Sequence, residues 1–197
     1  LHKKIPFMRE LGIEATWEVI TGDEPFYRCT KGMQNALQGE KTLVPPELIE
    51  VYEKPNEALA QRIRDKLTDA DLVFIHDPQP AALIRHFPER KGRWVWRCHI
   101  DISRPQRSLW NYLKQHVISF DSSIFSMQWF SQRLPHIQYL IAPSIDPLSE
   151  KNRDLSAEEV LEETKPFDLD PEIPVLLQVS RFDRFKDPIG VIEAYKL

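Results

Sequence analysis

At 197 residues the chain has room for one full α/β domain and little more. Its net charge of -4, with no polybasic block, argues against a nucleic-acid partner. No apolar run approaches the ~20 residues that span a bilayer, so no membrane partner is expected. Hydrophobic residues make up 42% and charged residues 28%, an ordinary balance for a globular fold. The two cysteines, Cys29 and Cys98, lie far apart and lack metal-ligand spacing, so reduced thiols in a cytoplasmic protein are expected. Glycine is scarce, with 6 residues, and neither G-x-x-x-x-G-K-S/T nor G-x-G-x-x-G occurs. Any phosphate bound by these residues must be held by side chains and a helix end.

Ile5, Met8 and Leu11 share one helix face, and Gly12 suits the position just past its end. A strand is expected at 15–20, and no strand precedes the first helix, which points to a chain that begins inside a domain. Residues 26–37 read as a weak helix ending at Gly39. Residues 45–51 read as a short irregular or helical piece. Leu59, Ile63 and Leu67 step by four, so 56–67 is an amphipathic helix. Apolar runs then predict strands at 71–76, 94–100, 123–126 and 137–141, separated by helices at 81–86, 108–120 and 127–134. This alternation predicts an α/β fold, a doubly wound Rossmann-like domain with a mainly parallel sheet. Residues 1–148 form that domain. Residues 149–173 change character: Ser156 and Glu159 make a capping box, and Pro166, Pro171 and Pro174 then break the chain. This stretch reads as an interdomain crossover, and 174–197 as the start of a second domain.

In open α/β sheets, ligands bind outside the carboxyl ends of the strands. Three such ends are polar here. The first carries His76, Asp77 and Gln79; the second carries Arg97, His99 and Asp101; the third runs from Ser180 to Lys186. The plain alternative for either histidine is a ring satisfied by backbone at a strand end. His99 and Asp101 could be read as a metal pair, but no third histidine or cysteine lies nearby in sequence, so no metal is expected. Asp168 and Asp170 sit in a proline-rich linker and read as solvated. No Gly-x-Ser-x-Gly elbow is present.

The third end has three parts. Residues 175–179 are a short apolar run that fits a buried parallel strand. Arg181, Arg184 and Lys186 follow in a polar loop. Asp187 then suits an N-cap with Pro188 at the first helical position. Cations beside a helix N-terminus make an anion site. The alternative is a surface loop whose cations are solvated. Leu197 falls inside this helix with no stop signal, a second pointer to a piece of a longer protein.

Residues 178–194, Gln-Val-Ser-Arg-Phe-Asp-Arg-Phe-Lys-Asp-Pro-Ile-Gly-Val-Ile-Glu-Ala, resemble the start of the second domain of retaining glycosyltransferases of the GT-B fold. Within that group the chain is most similar to the trehalose glycosyltransferring synthases and their trehalose phosphorylase relatives. The same resemblance covers Thr30 to Gly39, His76-Asp-Pro-Gln-Pro80, Trp96-Arg-Cys-His-Ile-Asp-Ile-Ser103 and Pro143-Ser-Ile-Asp-Pro-Leu-Ser-Glu-Lys-Asn152.

The resemblance implies two Rossmann-like domains, the first binding acceptor and the second a nucleotide sugar. It implies that Arg181 and Lys186 hold the donor diphosphate. It places His99, the catalytic candidate, beside the transferred glucose, with Asp77, Gln79, Arg97 and Asp101 on the acceptor side. The broad group has Lys-Gly where this chain has Lys186-Asp187. The implied reaction transfers glucose from a nucleoside-diphosphate-glucose to glucose, giving trehalose with retention. The nucleoside-diphosphate-glucose is a co-substrate, and no cofactor is required. The 197-residue piece alone is expected to be inactive. Three alternatives stay open: a trehalose phosphorylase, a non-catalytic sugar- or nucleotide-binding module, and a self-associating fragment. In the last case, a homodimer could exchange 174–197 between chains.

Overall fold

A computed structural model describes residues 4–42, 45–147, 149–170 and 173–196. The expected domain boundary at Leu148, the breaker at Pro171 and the chain end at Leu197 lie outside the described residues. The chain divides into two compact units, residues 1–144 and 145–197.

The first unit is α/β. Helices α1 (Lys4–Glu10), α2 (Glu24–Leu37) and α3 (Pro46–Thr68) precede the first strand. Gly12 and Gly39 both take positive φ, as their places after α1 and α2 require. Strands β1 (Leu72–His76), β2 (Arg93–Arg97), β3 (Ser122–Phe125) and β4 (Ile137–Leu140) form one sheet in the order β1-β2-β3-β4. All three pairings are parallel, and His76 stands opposite Arg97 in the register of the first. Parallel neighbours need a crossover that covers the sheet. Between β1 and β2 this is a 3-10 helix, Ala81–His86; between β2 and β3 it is α4 (Arg107–Val117).

The core fills from these crossovers. Trp94 and Trp96 on β2 are fully buried, as are Leu83, Ile84 and Phe87 from the first crossover and Leu113 and Val117 from α4. Trp96 meets Phe125 edge to face at 5.9 Å. Each such burial stabilises by roughly 1.5–3 kcal/mol. β1 presents Leu72 and Phe74 outward, both more than two-fifths exposed. None of the described helices is long and apolar enough to cross a membrane.

Several predicted elements differ. Residues 45–51 and 56–67 are not separate pieces: α3 runs 23 residues with Pro55 inside it. Proline removes one helical hydrogen bond and costs about 3 kcal/mol. The burial of Tyr52, Asn56, Leu59, Ala60 and Ile63 along one face offsets that cost. Residues 127–134 hold only a 3-10 turn, Gln128–Phe130. The runs 15–20 and 175–179 are not strands. Alternating or apolar residues make a strand only where a neighbour supplies ladder hydrogen bonds, and no described strand pairs with either run.

The second unit holds α5 (Ala157–Thr164) and α6 (Pro188–Tyr195). The capping box forms as expected: Ser156 Oγ accepts from the Glu159 N–H, and Glu159 Oε2 accepts from the Ser156 N–H. Arg153 pairs with Glu159 at 2.6 Å and with Glu150. No described side chain of this unit is buried; Leu177 and Val179 are 79% and 87% exposed.

Candidate functional site

The carboxyl ends of β1 and β2 bring together four of the expected residues. The parallel register sets His76 beside Arg97, so the residues that follow each strand emerge side by side. Asp77 is the centre of this cluster. Its φ is +66°, in the left-handed region that aspartate tolerates better than most residues. Three hydrogen bonds hold it there. Its N–H donates to the Arg97 carbonyl at 2.8 Å. Its own carbonyl accepts from Trp96 Nε1 at 3.0 Å. Its carboxylate Oδ1 accepts from the His99 N–H at 2.9 Å. Burial pushes the Asp77 carboxyl up, and the bond from the His99 backbone opposes that rise.

His99 is exposed at this edge, with its backbone fixed by Asp77. Its ring Nε2 lies 2.9 Å from His76 Nδ1. Burial pushes His99 below the usual imidazole range, against the pull of the Asp77 carboxylate. Burial, reinforced by the neighbouring His99 and Arg97, pushes His76 down to about 4. Both rings are therefore neutral near pH 7, and each can both donate and accept.

Arg97 is 7% exposed. Its Nη2 donates to the Ile141 carbonyl at 2.8 Å, while Nη1 has no hydrogen-bond partner among the described residues. A buried guanidinium arm in that state is a ready donor for a ligand hydroxyl or anion. Gln79 is half-buried, and its carbonyl accepts from Asn56 Nδ2 at 3.0 Å. Asp101 closes a local turn instead: its Oδ1 accepts from the Ser103 N–H at 2.8 Å. Cys98, between Arg97 and His99, is buried and its thiol is pushed up by burial to about 12, so it is inert.

Arg181 and Lys186 belong to the second unit. Arg181 pairs with Asp183 at 3.1 Å. The Lys186 N–H donates to the Asp183 carbonyl, and its own carbonyl accepts from Gln178 Nε2 at 2.5 Å. These bonds curl the loop so that α6 starts immediately after it. Asp187 caps α6, with Oδ1 accepting from the Gly190 N–H at 3.1 Å. Its φ is +46°, a conformation that glycine adopts freely. Aspartate tolerates that left-handed backbone better than most residues, so Lys186-Asp187 fits here without a glycine. The Asp187 carboxylate also occupies one of the free N–H groups that the sequence alone assigns to an anion.

The family model described as "Trehalose synthase, N-terminal domain" matches residues 1–132. The chain belongs to the trehalose synthase family. It is 45% identical over 199 aligned residues to a trehalose synthase of Thermococcus litoralis and equally to one of Pyrococcus furiosus. It is 41% identical over 203 residues to a trehalose synthase of Rubrobacter xylanophilus. Each alignment takes in all of this chain and 48% of the relative, so the chain spans about half the length of these curated proteins. The matched family region contains the whole β1–β2 cluster, Asp77 and His99 included.

Two supporting residues escape a reading confined to strand ends. The Tyr52 hydroxyl lies 2.6 Å from the Pro78 carbonyl and accepts from the Ala82 N–H at 3.1 Å. Asn56 Nδ2 donates to the Tyr52 and Gln79 carbonyls. Asn56 carried a signal: it is a polar residue on the helix face that also bears Leu59 and Ile63. Tyr52 carried none, because its hydroxyl acts across a fold contact.

Proposed function

We propose that the whole protein is a retaining glucosyltransferase that moves glucose from a nucleoside-diphosphate-glucose to glucose and forms trehalose. The observation that carries this reading is the His99–Asp77 pair at the carboxyl ends of β1 and β2, in a chain of this family. The activity is proposed for the whole protein; the 197-residue piece alone is proposed to be inactive.

In the proposed reaction the bond from glucose C1 to the diphosphate oxygen breaks, and the nucleoside diphosphate leaves with the electron pair. Arg181 and Lys186 hold that departing charge. The acceptor hydroxyl attacks C1 from the same face, and its proton passes to the leaving phosphate oxygen. The His99 ring hydrogen-bonds a hydroxyl of the glucose being transferred. Asp77 holds the His99 backbone, and Arg97 and Gln79 offer donors to the acceptor sugar, with Asp101 shaping the loop beside them. Preorganised groups of this kind each contribute roughly 10²–10³ in rate.

The test supplies the whole protein with a nucleoside-diphosphate-glucose and glucose and measures trehalose. Turnover is expected, with kcat lowered about 10²-fold or more by His99→Ala and by Lys186→Ala. Trehalose made only from glucose 1-phosphate would replace this reading with a phosphorylase. Unchanged turnover in both variants would remove these residues from the reaction.

A further inference from the structure

His76 and His99 meet edge to edge. The Nδ1 to Nε2 distance is 2.9 Å, the ring planes differ by 17° and the centroids lie 5.2 Å apart. That centroid separation is what an in-line N–H···N bond gives for two imidazoles, because face-to-face stacked rings with the same contact distance would lie closer. The bond contains one hydrogen. Whichever ring donates it, the other accepts, so the protonation pattern of His99 is tied to that of His76.

His76 is itself held. Phe74 lies on its own strand with ring planes 29° apart, and Trp17 approaches at 6.0 Å. The backbone beside it is fixed as well, since Asp77 takes three hydrogen bonds. Two consecutive residues thus grip His99 at both ends: Asp77 holds its N–H and His76 holds its ring. The reaction described above uses only the His99 ring and gives His76 no task.

We propose that His76 is a positioning residue of this site, fixing the ring orientation and the tautomer of His99 through the shared Nδ1···Nε2 hydrogen bond. The proposal rests on the glucosyltransferase reading for its catalytic consequence and on the geometry alone for the ring pairing. With His76 in place, one His99 nitrogen is committed to the pair and the other is presented in a single protonation state. Without it, the exposed ring can turn and exchange tautomers. The occupied fraction of the productive state falls, while the sugar contacts made by other residues stay.

The experiment compares His76→Asn with His76→Leu in the whole protein. Asparagine places an amide near the position of Nδ1 and can keep the bond; leucine fills the space without a polar atom. ¹⁵N spectra of histidine-labelled protein report the His99 tautomer, and steady-state kinetics with a nucleoside-diphosphate-glucose and glucose report turnover. One His99 tautomer is expected in the unmodified protein and in His76→Asn, and a mixture in His76→Leu. His76→Leu should lower kcat about tenfold or more with KM for glucose changed less than about threefold, and His76→Asn should recover kcat to within about threefold. A purely structural role would lower the melting temperature of both variants and leave the His99 tautomer as it was. An unchanged His99 tautomer in His76→Leu overturns the proposal. Equal turnover of the two variants at the level of the unmodified protein overturns it too. If the unmodified protein transfers no glucose, the functional reading fails on its own, and the spectra still decide whether His76 controls His99.

Discussion

The Tyr52 hydroxyl of α3 bridges the two ends of the loop after β1, lying 2.6 Å from the Pro78 carbonyl and 3.1 Å from the Ala82 N–H. Tyr52 is fully buried, and the Pro78 carbonyl also accepts from the Ala81 N–H at 3.2 Å, so the Ala82 N–H is the group that depends on the hydroxyl. The loop in turn carries Asp77, which holds His99. Tyr52→Phe keeps the ring and removes the bridge. Leaving the Ala82 N–H unsatisfied should cost about 1–3 kcal/mol. At ~2–4 °C per kcal/mol for a chain of this size, calorimetry should show a melting temperature several degrees lower. Turnover in the whole protein should fall as well, although Tyr52 touches no substrate in the proposed reaction. An unchanged melting temperature would show that the loop holds its shape without the hydroxyl.

Asp77 combines a strained backbone with a fixed carboxylate, and substitutions separate the two. Asp77→Asn keeps an acceptor for the His99 N–H and a residue type that tolerates positive φ. It should retain most stability. Asp77→Ala loses the acceptor and keeps the strain, a cost of roughly 1–3 kcal/mol from the unpaired His99 N–H. Asp77→Gly loses the acceptor and relieves the strain, so it should melt between the other two. Activity should follow a different pattern, with Asn highest and Ala and Gly equally low, because only asparagine still grips His99. Melting curves and trehalose formation on the three variants check the two orders together. A common order in both measurements would mean that strain, and not the grip on His99, governs the site.

The sheet was legible because its strands are apolar runs of four or five residues between breakers, and their spacing leaves room only for crossovers. That placed Asp77, Arg97 and His99 at neighbouring strand ends, and the register of β1 on β2 brings them together. The runs 15–20 and 175–179 show the limit of the same reasoning. Their residues suit a strand, but a strand is a property of a pair, and composition does not reveal the partner. Pro55 shows the opposite error. A local rule ends a helix there, and burial on one face carries α3 through it. His76 was visible at a polar strand end, but its bond to His99 depends on two side-chain orientations that the sequence does not encode in any pattern. Tyr52 acts on Pro78 across 26 positions and left no trace in either neighbourhood.

Asp187 places a carboxylate on the N-terminus of α6, where the proposed diphosphate gains from free N–H groups. Its backbone is left-handed, so glycine fits without strain. Asp187→Gly should cost only a few tenths of a kcal/mol as a cap. It removes a negative charge from the anion's neighbourhood, and effects of this kind are worth ~0.3–1 kcal/mol. Titration calorimetry on the whole protein should therefore show a nucleoside diphosphate bound about two- to fivefold tighter. Asp187→Ala removes the same charge but keeps a Cβ in the left-handed region, so it should be less stable than Asp187→Gly by about 1–2 kcal/mol. Weaker binding by a stable Asp187→Gly protein would count against an anion site at this helix end.

His116 on α4 should contribute to the acid sensitivity of the first unit. It is 1% exposed, and neither ring nitrogen has a hydrogen-bond partner among the described residues. Tyr112 meets its ring edge-on at 5.2 Å, and Tyr52 lies 6.5 Å away. Burial, aided by the Arg85 guanidinium, pushes its pKa down from 6.5 to about 4. Between those values the unfolded chain binds the proton and the folded chain does not. Stability therefore rises with pH through that window: it is complete above about 6.5 and declines as pH falls toward 4. His76 shifts in the same direction and adds to the slope. His116→Leu removes two unsatisfied polar atoms and one acid-sensitive group. Its melting temperature near pH 7 should equal or exceed that of the unmodified protein. Its fall between pH 6.5 and 4 should be shallower. Melting temperatures taken at half-unit steps across that range give both readouts. Identical slopes for the two proteins would mean that His116 is already charged in the folded state and that Glu53, which accepts from Tyr112 and Arg85, compensates it.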